Sequence, residues 1–310
     1  MAKKSLWNGR GEDMELKDLI KLAGNTAQKK KIAVAAAGDD VVLKAVEMAY
    51  DKNICDAILF GDENEIKKIA LENSIDISKF EIRHCDSSKK AVIEAVSAVA
   101  NKQADLPMKG KITTGELLSV FLKDEYNLKT KGTMNLVSVF EIPAYHKLLI
   151  VTDAGMVISP TLEQKIDSVV NAVSVAKKIG VSMPKVALVA ALEQVNPKMQ
   201  ATLDAAVITQ MNRRNQIKDC IVDGPFAMDN AVSLHAAQHK GIISDVAGDA
   251  DIIVMPEINA GNIFYKSMVF LAGAKVGSTI LGAKKPVILT SRADSDEAKL
   301  NSIALSVLMA

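Results

Sequence analysis

Aromatic side chains are scarce: Phe, Tyr and Trp make up 4% of the 310 residues, with a single Trp. A core must therefore be built from Ala, Val, Ile, Leu and Met, which suits helices packed on a buried parallel sheet. An excess of charge of one sign is also missing. Thirty-eight Lys and Arg stand against 37 Asp and Glu, a formal net charge of +1. No general attraction to nucleic acid or to an anionic membrane surface is expected. Cysteine is limited to Cys55, Cys85 and Cys220. An odd, widely spaced set argues against a disulfide framework and fits a reducing cytoplasm. No apolar run is long enough to span a bilayer, and the opening MAKKSLWNGRGED has no apolar h-region, so no secretory signal is expected. Low-complexity tracts and fixed-period repeats are absent.

Several catalytic signatures are missing too. MKGKITT (108–114) contains Gly-Lys, but Ile112 stands where a P-loop needs Ser or Thr, and the upstream Gly is absent. No G-x-G-x-x-G follows a strand, and there is no G-x-S-x-G nucleophile elbow. His235 and His239 are one helical turn apart, yet Ala-Ala-Gln separates them and no third ligand is in view. A solvated or substrate-facing helix is the better reading. Cys55 and Cys220 lie in apolar runs, as small core residues do.

What is present is alternation. KIAVAAAG (31–38), CDAILFG (55–61) and FEIRHC (80–85) read as strands, each followed by an amphipathic stretch of helical length. Such a series indicates βαβ units and a parallel sheet. ADLPMKG (104–110) reads as a short strand ending in a Gly turn. TMNLVSVFEIP and HKLLIVTDAG are then joined by so few residues that a hairpin is expected, since a parallel crossover needs more chain. PKVALVAA (184–191), DCIVDGP (219–225), ADIIVMP (250–256) and KKPVILT (284–290) are further strand-like runs. Leu300, Ile303, Ala304, Val307 and Leu308 mark one stripe of a final helix, with Asp294 and Glu297 as a capping pair at its start.

In open parallel sheets, ligands bind outside the carboxyl ends of the strands. Here those ends carry Lys109 and Gly110, Asp153, Gly224 and Pro225, Asn259, Gly261 and Asn262, and finally Ser291 and Arg292. Amides, glycines and cations at several strand ends suit an anionic ligand. Ser291 precedes a helix N-terminus, where free N–H groups favour a phosphate or a developing oxyanion. Arg292 adds a fork of donors that matches phosphate. Asp296 and Glu297 read more simply as helix-start charges. The residues alone point to an anion-binding α/β enzyme of unnamed reaction.

Two segments carry a resemblance. DGPFAMDNAVSLHAAQHKGIISDVAGDADIIVMPEINAGNIFYK (223–266) and PVILTSRADSDEAKLNSIAL (286–305) resemble the phosphate acetyltransferase/phosphate butyryltransferase family. LPMKGKITT and VTDAGMVISPTLEQK (151–165) are similar to its butyryltransferase branch. The resemblance implies a two-domain α/β fold of mostly parallel sheets flanked by helices. This is an isocitrate/isopropylmalate dehydrogenase-like architecture with a cleft between the domains. It implies residues 1–135 plus 291–310 as the first domain and 136–290 as a second, inserted one. It also implies a homodimer or higher homo-oligomer.

The implied reaction is reversible acyl transfer between acyl-CoA and inorganic phosphate, giving acyl phosphate and CoA. It would proceed by direct attack in a ternary complex with no metal or prosthetic group, and a butyryl-like chain is the leading acyl group. Ser291 and Arg292 match the family's Ser-Arg pair, implying roles at the leaving thiolate or carbonyl oxygen and at the phosphoryl group. In the acetyl branch an Asp stands seven residues after that Ser, whereas Ala298 stands here. Asp294, closest after the pair, is the candidate base. A phosphate acetyltransferase, and a catalytically impaired homologue that binds CoA or acyl phosphate, are the alternatives. An isocitrate-dehydrogenase-like enzyme is disfavoured by the missing dinucleotide fingerprint.

Overall fold

A computed structural model of the chain describes residues 14–291 and 294–310. The polypeptide forms two compact units. One holds Leu16–Gly132 and Val276–Ala310, and the other holds Thr133–Lys275 together with residues 14–15. The sequence reading put the return to the first unit at 291, whereas here it begins at Val276.

The first unit opens with α1 (Leu16–Gly24). It continues through β1 (Lys30–Ala35), α2 (Asp40–Asp51), β2 (Cys55–Gly61), α3 (Glu63–Glu72), β3 (Glu81–His84), α4 (Ser88–Ala100), β4 (Leu106–Lys109) and α5 (Thr114–Phe121). The strands form a parallel sheet in the order β3-β2-β1-β4. Val34 and Ala35 of β1, and Leu59 and Phe60 of β2, are fully buried, as strands covered on both faces require. Asp39, Asp62 and Ser87 cap α2, α3 and α4 by accepting N–H bonds from the first turn. Each cap closes a strand-to-helix turn on one edge of the sheet.

The second unit contains β5 (Asn135–Glu141), β6 (Leu149–Thr152), α6 (Leu162–Lys178), β7 (Lys185–Val189), α7 (Gln200–Arg213), β8 (Ile221–Phe226), α8 (Met228–Val232), α9 (Leu234–His239), β9 (Ile252–Val254) and α10 (Ile258–Phe270). β5 and β6 are the expected antiparallel hairpin, with Val139 opposite Ile150. From β6 the order runs β6-β9-β7-β8, all parallel. At the amino ends of these strands, Lys147 bridges Asp249 and Asp251, and Lys185 bridges Asp249. Partial burial would raise the Asp249 carboxyl, but the two lysines and His146 hold it well below the usual range. The charges at this end are spent on structure.

The chain then returns as β10 (Lys275–Leu281) and α11 (Asp296–Met309). β10 was missed in the sequence because KVGSTIL carries Gly, Ser and Thr at its centre. Conversely, KKPVILT does not form a regular strand. It makes isolated bridges only, parallel at Met108–Ile288 and antiparallel at Ile280–Val287. The expected apolar stripe of α11 is in fact a fully enclosed helix: every residue from Lys299 to Leu308 is buried. Its polar residues serve β10. Asn301 Nδ2 donates to Val276 O at 3.3 Å, Ser302 Oγ accepts from Ser278 N at 2.9 Å, and Ser306 Oγ donates to Thr279 Oγ1 at 2.9 Å. Buried polar groups satisfied in this way fix register rather than weaken the core.

Candidate active site

The first unit brings three strand ends side by side. β1 pairs in parallel with β4, Ala35 opposite Lys109. Beyond it, Ile288 bridges Met108, donates its N–H to Pro107 O at 2.9 Å and accepts from Lys109 N at 3.0 Å. Ala36 after β1, Gly110 after β4 and Thr290–Ser291 after the third run therefore emerge at one edge, where parallel sheets place their ligands. Gly110 packs on backbone. Its N–H reaches Ala35 O at 2.9 Å, and a Cβ there would lie 2.1 Å from Ala36 O. Ala36 itself adopts a left-handed φ of 57°, uncommon for a residue with a Cβ. Lys109 is 6% exposed, and its Nζ donates to the carbonyls of Gly110 and Ile112, each at 3.3 Å.

Ser291 and Asp294 close a tight turn. The Ser291 N–H donates to Asp294 Oδ2 at 2.7 Å, and the Asp294 N–H donates to Ser291 O at 3.2 Å. Lys299, 2% exposed in α11, reaches back from below. Its Nζ donates to Ser291 O at 3.1 Å and Asp294 O at 2.8 Å. Sequence reasoning missed this lysine because a Lys on a helix reads as solvent-facing. The capping expectation is corrected: Ser295 caps α11, accepting from Ala298 N at 3.2 Å, rather than an Asp294–Glu297 pair. Ser291 accordingly stands a full turn ahead of the helix start. Arg292 lies outside the described residues.

A cavity of about 370 Å³ beside this turn is lined by Asp40, Lys44, Asp294 and Asp296 among others. Three carboxylates against one lysine disfavour an anion in this cavity. Lys299→Met keeps side-chain length and removes both donors. It is expected to lower stability by about 1–3 kcal/mol and kcat about tenfold through misplacement of Ser291. Lys299→Arg should restore part of the rate. Unchanged steady-state turnover in the Met variant removes the positioning role.

The second unit holds the other candidates. Asp153, at the end of β6, is 7% exposed. Its carboxylate accepts N–H bonds from Gly155 at 2.8 Å, Met156 at 3.0 Å, Val157 at 2.9 Å and Leu136 at 3.4 Å. Burial raises its carboxyl above the usual range, against the pull of those four donors. Its oxygens shape the 153–157 loop. Asn259, Gly261 and Asn262 lie within the first turns of α10, not in a loop. A Cβ at Gly261 would stand 2.2 Å from Asp153 O, so the glycine lets α10 dock on that loop, and Asn262 Nδ2 donates to Ala154 O at 3.2 Å. Glu257 caps α10: its carboxylate takes the N–H groups of Asn259 and Ala260, each at 2.8 Å, which lowers its pKa. That N-terminus is already filled by a carboxylate. Gly224 and Pro225 lie inside β8, separated from β9 by β7, and are not brought beside Asp153 or Asn262.

The remaining candidates recede. The rings of His235 and His239 stack at 6.3 Å, and among the described residues no group of three His, Cys, Asp or Glu is placed to hold a metal. Burial pushes the Cys55 thiol up to about 12 and the Cys220 thiol up to about 11, so neither is a ready nucleophile. Among the described residues no helix is long and apolar enough to cross a membrane.

The family model described as "Phosphate acetyl/butaryl transferase" matches residues 15–91 and 86–307. The chain belongs to this family. It is 51% identical over 297 residues to the phosphate acetyltransferase of Thermotoga maritima, covering 96% of this chain and 100% of that one. It is 48% identical over 283 residues to the phosphate butyryltransferase of Clostridium acetobutylicum, covering 91% and 94%. Among solved structures, a branched-chain phosphotransacylase from Enterococcus faecalis V583 matches at TM-score 0.79 and 37% identity, over 90% of this chain and 98% of that one. Membership of the phosphate acetyl/butyryl transferase family makes the protein an acyltransferase, with the two-unit α/β fold that the resemblance implied.

Proposed function

We propose that the protein transfers a short acyl group between CoA and inorganic phosphate, with a four-carbon chain as the preferred cargo. The observation that carries this reading is the strand edge where Lys109–Gly110 and Thr290–Ser291 emerge together, in a chain of this family. A phosphate oxygen attacks the thioester carbonyl carbon. The C–S bond then breaks, the acyl group stays on phosphate, and CoA leaves as the thiolate. Ser291 donates to the carbonyl oxygen or the departing sulfur, and Arg292 holds the phosphoryl group. Lys109 adds buried positive charge at the same edge. Preorganised donors of this kind act through electrostatic stabilisation and positioning, so the reading needs neither metal nor prosthetic group. In the reverse direction Asp294 takes the thiol proton, since Ala298 offers no carboxylate. In the second unit, the Asp153 loop with Asn259, Gly261 and Asn262 of α10 and, apart from them, Gly224 and Pro225 of β8 stand as separate candidates for substrate contact.

The preference for four carbons rests on the LPMKGKITT and VTDAGMVISPTLEQK segments. A phosphate acetyltransferase is the second reading, supported by the Thermotoga maritima relative at 51% identity. One methylene is worth only about 1–3 kcal/mol in a pocket. Thiol release from acetyl-, propionyl-, butyryl- and isobutyryl-CoA, each with and without phosphate, tests the proposal. Phosphate-dependent release with the highest kcat/KM for the four-carbon substrates is expected. Fastest release from acetyl-CoA moves the protein to the second reading. No release from any of them, with CoA still bound, leaves a non-catalytic binding homologue.

A further inference from the structure

Thr290 lies between the 287–289 run and Ser291. Only 5% of the residue is exposed, and its Oγ1 has no hydrogen-bond partner among the described residues. The one other such side-chain atom among the described residues is Asn230 Oδ1, in the second unit. A buried hydroxyl without a partner destabilises a fold, because it forgoes the bonds it would make to water. Such groups are rare in native proteins, and each needs a reason. Valine has nearly the shape of threonine and would remove the penalty, so folding alone does not account for the hydroxyl.

The surroundings indicate an anion. Ile288 bridges Met108 and accepts from Lys109 N. Two residues further on, Thr290 and Gly110 leave neighbouring parallel runs together. Lys109 is buried at that end. Lys299 brings a second buried amine to the carbonyl of Ser291, the next residue in the chain. An unpartnered hydroxyl donor at a strand edge whose neighbouring chain positions carry two buried amines suits a compact group with several charged oxygens. A thioester carbonyl offers one neutral oxygen.

We propose that Thr290 Oγ1 donates a hydrogen bond to the phosphoryl group bound at this strand edge, as inorganic phosphate in one direction and as acyl phosphate in the other. This rests on the phosphate acyltransferase reading above. Thr290 then marks the phosphate side of the site, while Ser291 acts on the acyl carbonyl or the sulfur.

Thr290→Val removes the hydroxyl and keeps the volume. Thermal unfolding with graded inorganic phosphate and steady-state thiol release are the two measurements. Without phosphate, the Val variant should melt at or above the wild-type temperature. It should lose the stabilisation that phosphate gives the wild type, and its KM for phosphate should rise about tenfold or more. Its KM for acyl-CoA should stay within about twofold, and Thr290→Ser should keep phosphate affinity within about threefold of the wild type. A Val variant with wild-type KM for phosphate overturns the inference. So does a Val variant that melts well below the wild type while the Ser variant is equally impaired, because the role is then packing. If the wild type releases no thiol in response to phosphate, the reaction reading fails on its own. Phosphate-dependent melting of wild type against Val then still decides whether Thr290 binds the anion.

Discussion

Ser291→Ala is expected to lower kcat by about 10²–10³-fold, the usual loss when one preorganised donor to a developing charge is removed. The fold should not change. The turn is held through the Ser291 backbone, whose N–H donates to Asp294 and whose carbonyl receives Asp294 N and Lys299 Nζ. α11 takes its cap from Ser295 and loses nothing. Thiol release and far-ultraviolet circular dichroism on the same preparation separate chemistry from folding. The KM for acyl-CoA should move little, because the bond strengthens as charge develops and contributes less to the ground state. Turnover at the wild-type level in the Ala variant would remove Ser291 from the reaction.

Gly110→Ala should be among the most damaging single substitutions in the first unit. The new Cβ would stand 2.1 Å from Ala36 O, 2.6 Å from Ala35 O and 2.7 Å from Ala36 C. All three atoms are backbone, so no side-chain rotation relieves the overlap. Separating the two strand ends would break the bond from Gly110 N to Ala35 O and that from Lys111 N to Ala36 O. A loss of about 3–5 kcal/mol is expected, which lowers Tm by roughly 10 °C in a unit of this size. Activity should fall with it, since Lys109 and the Ser291 run are tied to the same edge. Thermal unfolding followed by circular dichroism reads the effect. A wild-type Tm would show that the β1 and β4 ends can part without cost.

Much of this was readable from residue patterns. Apolar runs such as KIAVAAAG and CDAILFG announced β1 and β2, and the short spacing between LVSVF and LLIV announced a hairpin. Periodicity failed where polarity served packing. KVGSTIL looked too polar for a strand, yet its Ser and Thr are answered by Ser302 and Ser306 of α11. The reverse error came at KKPVILT, whose apolar content promised a strand although it makes only isolated bridges. Strand-end logic singled out Lys109, Gly110 and Ser291, and the structure brings these three to one edge. It could not single out Lys299 or Thr290, because burial and partner count set them apart and neither is written in a local motif. Asp153 and Asn259 drew notice as polar strand-end residues, and the structure shows both tied to neighbouring chain groups.

The split composition of the first unit bears on how the protein is made. A ribosome emits Leu16–Gly132 first, then the whole of Thr133–Lys275, and only afterwards Val276–Ala310. Until that last stretch emerges, α1 and α2 lack α11, against which both pack, and β4 lacks Ile288 beside it. A nascent chain therefore carries an apolar helical surface and an unpaired strand edge throughout translation of the intervening unit. The intervening unit is continuous from 133 to 275, so its parallel strands β6, β9, β7 and β8 leave the tunnel in one stretch. The earlier-translated stretch is the one that waits longest for its packing partners, and the one that chaperones would have to shield.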